Sequence, residues 1–470
     1  MIGVVARQEF RSCVRDGRVR AGALLLLLLG VLALASAAAR YAQLSSERAV
    51  AQALIEEQWT LQGEKNPHSA AHYGLYAFRP ALPLGFFDPG VQAFEGVSIW
   101  LEAHKRNFAN GRPADDMTAL GRFGELSLAF VFQALMPLAL ILLGYGTFAR
   151  EREVGTLRQV LSTGVSAAQV FVGKFLGLGA ALLLLSAPLL LGALVLLVAA
   201  TGTQWLGAAA LLVLVHLLYA ALVLTLVLIV SAQASTAQNA LLMLLGFWAL
   251  TTFMLPRLAA DAGRIAAPTP AASQIVAAID EDLATGIDGV SPAMRVEQRR
   301  EALLKLYKVD RIEDLPINFQ GIVFEIQDEI GNAVYDRHFG RFAAAVDAQV
   351  DVVEAASLLS PRLAVSLVSQ ELAGTSLAHQ RHFEADAERF RRTVMEALNR
   401  DITFNSRPGQ LDYRAGAELW RRTGGYSYSP QPLSASLARS AGPLTALVLW
   451  SAVVFGLAIV TLRRLRVLAA

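Results

Sequence analysis

Six stretches of about 20 mostly apolar residues punctuate this chain, and a helix of that length crosses a bilayer core about 30 Å thick. They are residues 21–39, 126–148, 175–199, 208–230, 237–258 and 443–462. No charged residue lies in the interior of any of them, and Arg257 stands only at the edge of the fifth. Composition agrees: 17% of residues are charged, against about 25% in soluble domains. The first block follows a basic arm and ends in a small-residue run resembling a cleavage site. It is nevertheless long enough to span, and an uncleaved anchor is expected.

Orientation comes from lysine and arginine near the span ends. Arg7, Arg11, Arg15, Arg18 and Arg20, then Arg150, Arg152, Arg158 and Lys174, then Arg463, Arg464 and Arg466 fall on one side if there are six spans. That side is expected to be the cytoplasm, with both termini there and the chain in a bacterial inner membrane. Expected outside the cytoplasm are residues 40–125 and 259–442. The second reads as mainly helical, with an unbroken apolar-patterned stretch over 319–356, a break at Ser360-Pro361, and a further helix over about 377–400. Neither segment shows sustained strand alternation. Residues 73–90, rich in Pro, Gly and aromatics, read as an ordered loop. The expected fold is therefore an all-α membrane protein with six transmembrane helices, an N-terminal interfacial helix over 1–20, and a tail over 463–470.

Several functions are excluded. The net charge is +2 and the basic residues flank apolar blocks, so nucleic acid is not an expected partner. Cys13 stands alone, which rules out intrachain disulfides and cysteine-type zinc sites. No phosphate loop is present, since Gly173-Lys174 is followed by Phe175. His216 is the one imidazole in a span and is expected to be an interhelical hydrogen-bonder, so transport driven by an ion gradient is disfavoured. His68 and His72 lie four apart and His379 and His382 three apart, spacings that can place two imidazoles on one helix face. Neither pair has an obvious third ligand, so no metal is assigned, and surface or capping roles are expected.

The segment over 149–174 carries the most information. Leu157, Val160, Leu161 and Val165 make a narrow apolar stripe, punctuated by Gly155 and Gly164, with charges at its start. Glu151, Arg152, Glu153, Gly155, Thr156 and Leu157, followed by Gly173 and Lys174, resemble the loop of type-2 ABC transporter permeases. That loop usually reads E-R-E-x-G-T-L, then a leucine-rich turn, then G-K. The family often has proline after the leucine pair, where this chain has Ser162-Thr163-Gly164. The basic amphipathic arm, with Arg7, Phe10 and Arg11, is similar to the family's elbow helix. Outer stretches at 71–80, 87–91, 100–107, 358–365 and 371–383 resemble a bacterial subgroup with a large extracytoplasmic domain of unassigned function.

The resemblance implies a non-enzymatic permease subunit of an exporter, whose coupling loop docks on a separate ATPase subunit. That partner would bind ATP and Mg. A second permease chain, identical or homologous, would complete the conduit in contact with membrane lipid, and a periplasmic partner is compatible with the outer segments. The alternative is a non-transporting scaffold or mechanotransmission subunit that relays ATPase motion to such a partner.

Overall fold

The computed structural model describes residues 1–118, 126–410 and 412–467. The end of the first expected outer segment (119–125), the last three residues of the expected tail, and the side chains of Arg18 and Arg466 lie outside the described residues.

The N-terminal arm forms α1 (Ile2–Arg15), which stops at Asp16 in extended backbone, so the interfacial helix is shorter than the expected 1–20. The next helix, α2 (Gly17–Thr60), has 44 residues and is about 66 Å long at 1.5 Å per residue. The apolar window 21–39 is less than half of it. Residues 40–60 contain no Gly or Pro, so nothing stops the helix as it leaves the apolar region.

After α2 come α3 (Pro67–Tyr73) and a small antiparallel sheet of β1 (Leu75–Phe78), β2 (Ser98–Glu102) and β3 (Lys105–Arg106). Leu75 pairs with Leu101, and Glu102 with Lys105. The stretch expected to be an ordered loop thus holds one strand and a 3-10 turn at Pro83–Phe86. Four residues are too few to show alternation in sequence. Ala103 and His104 form the β2–β3 turn, His104 with a positive φ of 59°. There His104 meets His68 and His72, correcting the expectation that this pair had no third imidazole nearby.

Six helices are long and apolar enough to cross a membrane: Val19–Thr60, Leu128–Glu153, Ala167–Thr201, Leu206–Gln233, Ala237–Ala266 and Ala441–Leu465. A backbone in lipid must satisfy its own N–H and C=O groups, which the helix does. Leu184, Leu191 and Val195 are 60–67% exposed, as lipid-facing side chains should be. The chain is an all-α multi-pass membrane protein.

The second span joins α4 (Leu128–Phe130) to α5 (Met136–Gly144) through a π segment, Val131–Leu135. Beyond it lie α6 (Ala149–Glu153) and α7 (Thr156–Ser162). Next come α8 (Ala167–Thr201) and α9 (Leu206–Gln233). The fifth span joins α10 (Ala237–Ala249) to α11 (Leu255–Ala266), again through a π segment, Leu250–Met254. Each π segment is followed by a proline, Pro137 or Pro256. Proline lacks an N–H and its ring clashes with the carbonyl four residues back, so that carbonyl needs another donor. Gln133 O accepts from the Tyr219 hydroxyl at 3.2 Å, and Thr252 O from Arg362 Nη1 at 3.1 Å.

Arg362 belongs to the second polar segment, which forms α12 (Ala272–Thr285), α13 (Pro292–Tyr307), α14 (Phe319–Ala356), α15 (Pro361–Ala373), α16 (Leu377–Asn405), α17 (Ala417–Thr423) and α18 (Leu433–Arg439). The last span is α19 (Ala441–Val467). The bounds of α14 are those its sequence pattern predicts. Helix α15 seats the polar domain on the spans: Ala364, Val365, Val368, Leu372 and Ala373 are buried in the same core as the membrane helices. Beside it Asp88 is buried, accepting from Gly90 N at 3.0 Å and from the Ser369 hydroxyl. Burial pushes its carboxyl above the usual range.

Two further cores hold the domain together. One packs Trp59 of α2 edge-on to Trp420 at 5.7 Å, with Phe383, Met395 and Leu398. The other packs Ile275 and Ile279 against Ile322, Ile326, Ile330 and Val334. His379 is buried between the hydroxyls of Ser376 (2.9 Å) and Ser436 (3.1 Å), and His382 faces Tyr428, so His379 packs inside the domain rather than at the surface where it is expected. His216 lies 3.2 Å from Gln133 Nε2 and bonds Leu212 O, an interhelical contact as expected.

Candidate partner-docking site

The end of the bundle opposite the polar domain gathers α1, α6, α7, the start of α8, the α9–α10 turn and the end of α19. Gln233 Nε2 donates to Thr461 Oγ1 at 2.7 Å there. What brings α1 down onto α8 is the absence of two side chains. A Cβ on Gly173 would stand 2.6 Å from Val5 Cβ, and one on Gly177 would stand 2.6 Å from Ala6 O. Small residues four apart let two helices approach closely.

Between the glycines the chain places Lys174, only 3% exposed. Its ammonium donates to Glu9 Oε2 on α1 (3.2 Å), Glu151 Oε1 on α6 (2.8 Å) and Thr147 O (3.1 Å), and lies 5.2 Å from the Phe148 ring centroid. An ammonium has three donors, and all three are used. One buried cation therefore ties α1, α6 and α8 together.

Helix α6 is held on its other side by the α9–α10 turn. Arg152 donates to Ala234 O at 2.7 Å and to Ala232 O, orphan carbonyls at the C-terminal end of α9. Glu153 Oε1 accepts from Ala237 N at 3.0 Å, placing a carboxylate at the N-terminus of α10, where the helix dipole favours it. Ser231 Oγ accepts from Phe148 N (3.0 Å) and Ala149 N (3.2 Å), opening α6. Gly155, with φ of 80°, then turns the chain into α7, whose Leu157 and Leu161 are buried. The Ser162-Thr163-Gly164 departure keeps a turn because Gly164 takes φ of 85°, and Ser166 and Gln169 form a capping box that starts α8.

The expected partner-facing residues separate into two sets. Glu151, Arg152, Glu153 and Lys174 make the internal bonds just described, so they position the loop. Gly155 and Thr156 are exposed, together with Val154 at 67%, Arg158 and Gln159, and these form the outward tip. Leu157 anchors the tip from beneath. On α1, Arg7 and Arg11 are exposed and Phe10 is half-buried. Sequence reasoning missed Glu9, Ser231 and Val154. Glu9 carried a signal, as the one acidic residue within α1.

Cys13 reports on this packing, being 7% exposed on α1. Burial, with Glu9 and Asp16 close by, pushes its thiol up to about 11. At neutral pH it is protonated and slow to react. In Gly177→Leu the new side chain must displace the α1 backbone, an overpacking that costs about 1–3 kcal/mol. Maleimide labelling of Cys13 is expected to accelerate about tenfold or more in that variant. An unchanged rate would mean that α1 does not depend on the glycine contact.

A family model described as Domain of unknown function (DUF3526) matches residues 290–429, which run from just before α13 to just after α17. No curated protein matches the chain.

Proposed function

We propose that this chain is the permease subunit of an ATP-driven ABC-type exporter, set in a bacterial inner membrane with both termini in the cytoplasm. A separate ATPase subunit supplies ATP and Mg binding, and a second permease chain completes the conduit. The observation that carries this reading is the exposed tip at Val154–Thr156 on a loop tied to α1 and α8 through Lys174 and to α9 and α10 through Arg152 and Glu153. Force applied at such a tip reaches several membrane helices without a flexible link between, which is what a two-state transporter requires of its contact with a motor.

Affinity purification from native membranes tests the assignment. An ATPase chain is expected to co-purify, and the double variant Val154→Asp, Arg158→Glu is expected to lose it. Absence of any ATPase chain with the unaltered protein would remove the assignment's main support. Charge reversal at Glu151 and Glu153 is expected to uncouple ATP hydrolysis from transport. Normal transport-stimulated hydrolysis in that variant would count against the loop's role.

One observation favours a second reading, in which the chain relays ATPase motion to a periplasmic partner without moving cargo. Helix α2 runs unbroken from beside α1 to Trp59 in the domain core, a rod that can carry displacement across the membrane. ATP-dependent transport by the purified complex in vesicles, with no added periplasmic protein, would exclude it.

A further inference from the structure

We infer that His68, His72 and His104 form a binding site for a divalent transition-metal ion of the zinc class in the polar domain. His68 and His72 stand at the two ends of α3, one helical turn apart, and their Nε2 atoms are 3.1 Å apart. His104 comes from the β2–β3 turn, and the ligand atoms of all three rings lie within 4.8 Å of one another. A tetrahedral zinc with bonds of about 2.0 Å holds its nitrogen ligands about 3.3 Å apart, so small ring rotations close the set.

The surroundings of His104 argue for a ligand rather than a chance cluster. Its backbone N–H donates to Asp328 Oδ1 at 3.0 Å, and its Nδ1 lies 2.8 Å from the same oxygen. Asp328 is fixed in turn by Asn399 Nδ2 at 2.6 Å. A carboxylate behind an imidazole is the usual orienting partner of a metal-bound histidine. Nδ1 is the ring nitrogen beside Asp328, yet both ring nitrogens of His104 are buried without an aligned hydrogen-bond partner among the described residues, as is His68 Nδ1. Buried polar atoms in native structures are nearly always satisfied. A hydrogen bond between His68 and His72 leaves the His104 ring orphaned, whereas a cation among the three rings takes one of its nitrogens as a ligand.

The site is also built against movement. His68 stacks on Phe324 at 3.5 Å between centroids, and Gly331 lets α14 pass close to His104, because a Cβ there would stand 3.0 Å from His104 O. The ligands come from the first polar segment and their supports from the second, so an ion would clasp the two segments. His72 is exposed, which opens the site to solvent. With three protein ligands the fourth position is left for water or an exchangeable group, the arrangement of sites that exchange or activate a ligand rather than of closed structural ones.

Equilibrium dialysis of the full-length, detergent-solubilised and tag-free chain against zinc(II), with metal counted by mass spectrometry, tests this. One zinc per chain is expected, together with a rise in the unfolding temperature on zinc addition. His72→Ala, at an exposed position that should not disturb folding, is expected to weaken binding about 100-fold and to abolish the thermal shift. Asp328→Asn, a positioning change, is expected to weaken binding about 10–100-fold. His382→Ala should alter neither. Cobalt(II) in place of zinc should give the visible bands of a four-coordinate ion, and His72→Ala should lose them. The inference is overturned if the unaltered chain retains no more zinc than His72→Ala, or if His382→Ala removes as much.

Discussion

Replacing Lys174 by methionine is expected to release α1 from the membrane helices. Among the described residues the ammonium alone joins Glu9 to Glu151, and methionine keeps most of its volume while removing the charge. Two carboxylates are then left facing each other across a closed contact. Breaking a buried pair costs about 3–5 kcal/mol, and partial exposure of Glu9 (17%) and Glu151 (34%) lowers this to about 2–3 kcal/mol. That corresponds to a roughly 30-fold to 150-fold shift toward the detached state. Faster maleimide labelling of Cys13 would report it, as would tryptic cleavage after Arg7, Arg11 and Arg15. The triple variant Lys174→Met, Glu9→Gln, Glu151→Gln should recover most of the loss, because it leaves no unpaired charge. An unchanged Cys13 labelling rate in Lys174→Met would show that the glycine contact alone holds α1.

Arg391→Leu is expected to be the most damaging single change in the polar domain. This guanidinium is 1% exposed. It grips Glu388 with two bonds of 2.8 Å and donates to Glu102 O at 3.2 Å and to Asn332 Oδ1. It therefore links α16 to the end of β2 and to α14, while leucine reaches none of these. Glu388 keeps Arg392 at 2.8 Å, which holds the expected loss near the lower end of the buried-pair range, about 3 kcal/mol. For a unit of 150–250 residues this lowers the unfolding temperature by about 6–12 °C. Arg391→Lys should rescue little, since one ammonium cannot reproduce a fork that meets a carboxylate and two other acceptors. Equal thermal stability of Arg391→Leu and the unaltered chain would show that the cluster contributes nothing net.

The parts of this fold legible in the amino-acid sequence are those set by local composition. A span needs about 20 apolar residues in a row, so each window coincides with an observed helix: five lie within one, and 126–148 starts two residues before Leu128–Glu153. Helix α14 was delimited at Phe319 and Ala356, because Asn318 caps its start and Ser360-Pro361 forbids its continuation. The loop over 149–174 stood out because its glycines and charges follow a pattern within one short segment. Even there the sequence did not separate the residues that hold the loop, such as Glu151 and Arg152, from those that face outward, such as Val154.

What only the tertiary structure decided are pairings between groups far apart in the chain. Lys174 meets Glu9 across 165 positions, and Asp328 meets the backbone of His104 across 224. No periodicity links such residues. Their meeting depends on α1 folding back along α8 and on α14 passing beneath the β2–β3 turn. The third histidine was unreadable for that reason, and so was the placing of α15 against the carbonyls that Pro256 leaves open. Sequence alone determined which segments require lipid and which can stay helical in water, because the free energy of burying apolar surface is a property of the segment itself. The polar contacts that give this chain a docking tip and a histidine cluster were decided by packing, because each needs a partner whose position is known only once the helices are assembled.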